Sequence, residues 1–93
     1  MNDREKALLD DAQQVYGSRF RARARNVGDA WVVDLIKIDG SVIWPDYATG
    51  PSELLAVLAA EQRYRVEESG EASLSGDTYV EKAQDRLRRW LEG

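Results

Sequence analysis

The sequence predicts an α+β fold in the order α-β-β-β-α-α, a three-stranded antiparallel meander packed by helices. Three observations carry this. Apolar residues recur at helical spacing near the start of the chain and again through its second half. Between those regions, residues 19–44 alternate apolar with polar or run β-branched. The turn pairs Gly28-Asp29 and Asp39-Gly40 then divide the middle region into three short strands.

Each element has its local reason. Leu8, Ala12, Val15 and Tyr16, with Leu9 beside them, form the stripe of a helix over about 3–16. Asn2 can cap it, Glu5 sits at the capping-box offset, and Gly17 can stop it. Strands are placed at about 19–26, 30–38 and 41–44, and Pro45 is read as the end of the third. Thr49 or Gly50, followed by Pro51 and Glu53, marks the start of a helix over about 51–67. Its LLAVLAA stretch is apolar on most sides, which predicts deep burial. Residues 68–76 contain GEASLSG and read as a small-residue linker. A last helix spans about 77–91, with Thr78 and Glu81 as its capping box. Val80, Ala83, Leu87, Trp90 and Leu91 form its stripe, expected to pack in cis. There is no internal repeat, and 1–93 reads as a single domain.

Composition narrows the chemistry. The 93 residues include 17 acidic and 13 basic side chains, for a net charge of −4. That balance works against non-specific attraction to polyanions. Cysteine and histidine are both absent. Thiol nucleophiles, thiolate metal sites and imidazole catalysis are therefore excluded. The glycines are isolated, so no phosphate-cradling loop exists. No calcium-loop spacing appears, and the carboxylates on the first helix (Asp3, Glu5, Asp10, Asp11) read as solvated charge. These readings predict no enzyme activity, no cofactor and no metal. The apolar run Leu54–Ala60 is too short to span a bilayer, and a cytoplasmic protein without membrane partners is expected.

One stretch, SRFRARARN at residues 18–26, asks for a partner. Residues two apart share a strand face, so Arg19, Arg21, Arg23 and Arg25 are placed together. A turn at Gly28-Asp29 sets Arg23 opposite Asp34, Arg25 opposite Val32 and Arg21 opposite Ile36. A two-residue Asp39-Gly40 turn sets Ile36 opposite Ile43. The candidate partner-binding face is then Arg19, Arg21, Arg23, Arg25, Val32, Ile36, Ile38 and Ile43, which the last helix can cover only in part. Phe20, Ala22, Ala24, Trp31, Val33, Leu35, Val42 and Trp44 form the opposite, core-facing side. A second candidate group is Tyr47, Arg86, Arg89 and Trp90, with Tyr47 placed in an exposed loop.

An apolar patch rimmed by arginine suits a protein interface. The expected function is therefore a non-enzymatic protein-interaction module whose partner is a host protein or, in a weak homodimer, a second copy. The alternative is nucleic-acid binding, since arginines about 7 Å apart match the spacing of phosphates along one strand. The element order is also that of double-stranded-RNA-binding domains. However, TGPSELL puts Glu53 where that fold carries a phosphate-binding lysine cluster.

The stretches GPSELLAVLAAEQRYRVEESG and GDTYVEKAQDRLRRWLEG, covering residues 50–93, resemble small uncharacterised proteins encoded by phages of actinobacteria. The resemblance lies in arginine, alanine and glutamate usage and an RRW-like end. It implies an accessory role exerted by binding a host protein, and it carries over no functional residue.

Overall fold

The computed structural model describes residues 2–93. The order is the expected one, with three helices and one three-stranded antiparallel sheet. Asn2 caps the first helix, its Oδ1 accepting from the Glu5 amide at 2.8 Å. That helix, α1, spans Asp3–Gln13 and tightens into a 3-10 turn over Gln14–Tyr16. Gly17 then turns the chain at φ +62, a conformation that suits a residue without Cβ.

Strands β1 (Arg21–Val27) and β2 (Ala30–Ile36) form the first hairpin. Gly28 has φ +62 while Asp29 keeps negative φ, the pattern of a type II′ turn. Its register is the predicted one: Arg21 faces Ile36, Arg23 faces Asp34 and Arg25 faces Val32. The first strand begins two residues later than predicted, so Arg19 lies before it.

The second hairpin corrects the predicted register. The Gly40 amide donates to the Lys37 carbonyl and the Lys37 amide to the Ser41 carbonyl, each at 2.9 Å, with Gly40 at φ +91. The loop therefore has three residues, Ile38–Gly40, and ends in a glycine bulge. One extra loop residue slips the pairing by one, so Ile36 faces Val42 rather than Ile43. Ile43 becomes the unpaired residue of a bulge, after which Leu35 faces Trp44. Val42 thus joins the arginine face instead of the core face.

Strand β3 (Val42–Gly50) also runs through Pro45, where the sequence reading ended it. An edge strand tolerates this, because no ladder bond is demanded of the missing N–H. Between the pairs Leu35–Trp44 and Val33–Ala48, β2 contributes Asp34 alone while β3 contributes Pro45, Asp46 and Tyr47. Asp46 takes φ +54, and its amide donates to Asp34 Oδ1 at 2.8 Å. The bulge turns Tyr47 inward. The tyrosine assigned to an exposed loop is 3% exposed and belongs to the core.

Helix α2 (Glu53–Glu68) starts from Ser52, whose Oγ accepts from the Leu55 amide at 3.2 Å, later than the predicted start at Pro51. A Cβ at Gly50 would stand 2.7 Å from the Ala56 nitrogen, so only glycine lets β3 feed α2 this closely. Helix α3 (Gly76–Glu92) is capped by Ser75, which accepts from the Thr78 amide at 3.3 Å, instead of by the predicted Thr78–Glu81 box.

All three helices lie on one side of the sheet. The core joins Leu8, Ala12 and Tyr16 to Ala22, Val33, Leu35 and Tyr47, to most of α2, and to Tyr79 and Ala83 of α3. Leu58 at its centre is fully buried, and truncating it to alanine would cost about 2–5 kcal/mol. Helix α3 packs in cis on α2. It covers none of the arginine face: Val32, Ile36 and Val42 all lie outside the core.

Candidate functional site

On the helix-free face the arginines meet a carboxylate of their own strand pair. Asp34 is 3% exposed despite lying on the uncovered side of the sheet. Arg25 Nε donates to Asp34 Oδ2 at 2.9 Å, and Arg23 Nη2 donates to the same oxygen at 3.4 Å. Arg25 Nη2 also reaches Asp46 in the bulge. The Arg25 guanidinium, helped by the Asp46 amide, holds the Asp34 carboxyl below the usual carboxylate range. The guanidinium of Arg25 is raised in turn by Asp34. Two of the four arginines are thus committed to organising the sheet.

Arg19 leaves the group altogether. It points toward α2, 3.5 Å from Glu68 and 5.7 Å from the centroid of the Tyr64 ring. Arg21 stays on the face and meets no carboxylate. Of the chain's ten arginines it alone has neither an ion pair nor a hydrogen bond among the described residues.

The rest of the face is aliphatic. Val32, Ile36 and Ile43 are half-buried, while Val42 is exposed. Ile38 stands at the tip of the second hairpin and is 84% exposed. Trp44, on the same hairpin, is 44% exposed and packs edge-on against Phe20 with ring centroids 5.3 Å apart.

Both edges of the sheet are blunted against a further strand. The side-chain amide of Gln13 pairs with the outer edge of β1 as a neighbouring strand would. The Ala22 amide donates to Gln13 Oε1 at 2.9 Å, and Gln13 Nε2 donates to the Ala22 carbonyl at 3.0 Å. On β3, Pro45 offers no N–H, and Arg63 Nη1 donates to the Tyr47 carbonyl at 2.6 Å. Both devices blunt edge pairing.

The second predicted group does not assemble as one site. Tyr47 is in the core, under the guanidinium of Arg63 at 4.3 Å from the ring centroid. Arg86, Arg89 and Trp90 do line one cleft between α1 and α3 with Asp3, Arg4 and Ala7, so three of the four meet and Tyr47 alone stands apart. Arg4 spans the Trp90 and Leu91 carbonyls at 3.0 and 3.1 Å, and the Trp90 indole donates to the Arg4 carbonyl at 3.1 Å. These bonds seat the end of α3.

Arg86 serves a residue that the sequence reading overlooked. Glu61 is 0% exposed, and Arg86 reaches it through Nε at 2.6 Å and Nη2 at 3.2 Å. Arg65 Nη2 adds a contact at 3.1 Å, and Arg86 continues to Asp11 on α1. One arginine thus ties the three helices together. The signal lay in the α2 pattern, where Glu61 interrupts the stripe of Leu54, Val57, Leu58 and Tyr64.

The shifted titratable groups all move away from neutrality. Burial pushes the Tyr16 and Tyr47 phenols up, and Asp34 and Asp39 are held low. Among the described residues no helix is long and apolar enough to cross a membrane. No protein-family model, curated protein or solved structure matches the chain.

Proposed function

We propose that this chain is a non-enzymatic protein-interaction module that docks through the helix-free face of its sheet. The observation that carries the reading is an aliphatic sheet surface left outside the core by three helices that all pack on the other side. Val32, Ile36 and Val42 lie there beside Arg21, with the Arg23–Asp34–Arg25 network as a fixed floor. A contiguous exposed apolar patch marks an interaction site, and arginine is enriched at interfaces. The resemblance to small phage proteins makes a host protein the natural partner.

Nucleic acid is the weaker reading. Asp34 and Asp46 sit among Arg21, Arg23 and Arg25, so the ladder keeps a surplus of one positive charge. Phosphate binding draws on counterion release in proportion to the cations free to engage.

The test is a triple variant, Arg21→Gln/Ile36→Thr/Val42→Thr, compared with the wild type in affinity purification from the native host. Partners should be lost while the circular dichroism stays native. Recovery of the same partners would remove the face from consideration. Gel shifts at low salt that depend on Arg21 would favour nucleic acid instead.

A further inference from the structure

Strand β1 is an outer strand of the sheet, and the turn that follows it fixes where its backbone groups point. The two-residue Gly28-Asp29 turn makes Val27 and Ala30 a hydrogen-bonded pair. Such pairs alternate along an antiparallel ladder, so Arg25, Arg23 and Arg21 direct their amides and carbonyls to β2. Those of Ala22, Ala24 and Asn26 face outward. Gln13 bears out this parity at Ala22, the one outward position it reaches. Ala24 and Asn26 leave two N–H and two C=O groups without a protein partner among the described residues.

A hollow of about 470 Å³ runs along this edge. Leu9 of α1 and Val57 of α2 line it beside Ala22 and Ala24, whose small side chains leave the space open. The carboxylates Asp10 and Glu53 and the guanidiniums of Arg21 and Arg23 line it too, so charge of neither sign selects the occupant. Backbone geometry selects it instead. Only an extended chain presents N–H and C=O groups at a two-residue repeat of about 7 Å.

We infer that an extended segment of a partner protein pairs with β1 here as a fourth, antiparallel strand, bonded to Ala24 and Asn26. An unpaired strand edge is a template for such addition, and main-chain bonds supply the affinity. Residues directly opposite each other in the pair share a face. The side chain opposite Ala24 therefore enters the hollow beside Leu9 and Val57 and is apolar. Its neighbours emerge next to Arg23 and Arg25 and are polar. This site lies beyond the proposed docking face and does not depend on it. A second copy fits the edge badly. Antiparallel pairing through Ala24 and Asn26 of both chains sets Arg25 directly against its own counterpart, and like charges so placed are destabilising.

The experiment titrates the isotope-labelled full chain with an eight-residue peptide that alternates valine with threonine or glutamate, read by amide hydrogen exchange. Exchange at Ala24 and Asn26 should slow about tenfold at saturation. Methylating the valine nitrogens, which face β1 in this pairing, should weaken binding about tenfold. Methylating the threonine and glutamate nitrogens, which face away, should leave affinity unchanged. An Asn26→Pro variant removes one outward N–H without touching a bond to β2. It should weaken the parent peptide while the circular dichroism stays native, and the methylated peptides decide the matter on the wild type if that variant misfolds.

No protection of Ala24 and Asn26 at peptide concentrations up to about 5 mM would overturn the inference and leave the docking face to its own test. Equal weakening by the two methylations would overturn it too, because side chains rather than backbone would then hold the peptide. Protection that rises with protein concentration alone would give the edge to a second copy and overturn the choice of partner.

Discussion

Replacing Arg86 with leucine removes the principal partner of a carboxylate that has no access to water. Glu61 is 0% exposed, and its contacts are Arg86 at 2.6 and 3.2 Å, Arg65 at 3.1 Å and Gln62 at 3.2 Å. Breaking one side of a buried ion pair costs about 3–5 kcal/mol, because the remaining charge stays desolvated. Arg65 and Gln62 persist in the variant, so the loss should sit at the low end, about 3 kcal/mol. For a domain of 93 residues, total stability is on the order of 5–14 kcal/mol, so this is a large share. The assay is equilibrium urea unfolding, followed by helix circular dichroism and tryptophan fluorescence. With a slope of about 1.5 kcal/mol/M, the midpoint falls by about 2 M. The companion variant, Glu61→Leu/Arg86→Leu, removes both charges and should recover to within about 1 kcal/mol of the wild type. A loss below about 1 kcal/mol in the single variant would refute the reasoning. A double variant no more stable than the single would do so as well.

Other expected outcomes follow from single contacts. Gly50→Ala puts a Cβ 2.7 Å from the backbone nitrogen of Ala56, which cannot rotate away, so thermal or urea unfolding should show a loss of about 2–3 kcal/mol. Gln13→Ala removes two hydrogen bonds to Ala22 and should cost about 1–2 kcal/mol. It also opens the β1 edge, so light scattering on heating should rise above that of the wild type. Asp34 has its folded-state pKa lowered by Arg25, so its contribution is fully present above the unfolded value of about 3.9. That contribution is lost as pH falls through the lower folded-state value. Stability measured between about pH 5 and pH 2 should therefore decline less steeply in Asp34→Asn than in the wild type. Parallel declines would mean that Arg25 does not hold this carboxyl.

Much of what depended on a few neighbouring residues was legible in the chain, though the cap of α3 fell to Ser75 rather than Thr78. Asn2 and Gly17 bound the first helical segment because a cap and a stop act within one turn. The first hairpin kept its predicted register because Gly28 fits a two-residue turn, and that register placed Arg23 against Asp34. Apolar alternation correctly gave Ala22, Val33 and Leu35 to the core. The same pattern put Arg21, Arg23, Arg25, Val32 and Ile36 on one face.

Tertiary structure decided the rest. An Asp-Gly pair allows both a two-residue turn and a three-residue loop with a glycine bulge. The choice between them moved Val42 onto the arginine face and left Ile43 unpaired in a bulge. Pro45 reads as a stop, yet β3 is an edge strand and Asp34 holds the Asp46 amide, so the strand continues and buries Tyr47. Glu61 and Arg86 are 25 residues apart, and Asp11 and Arg86 are 75 apart, so no local pattern pairs them. Nor does amphipathic patterning alone say which surface α3 covers. Its stripe found α2 on the crowded side of the sheet, and for that reason the arginine face stays open.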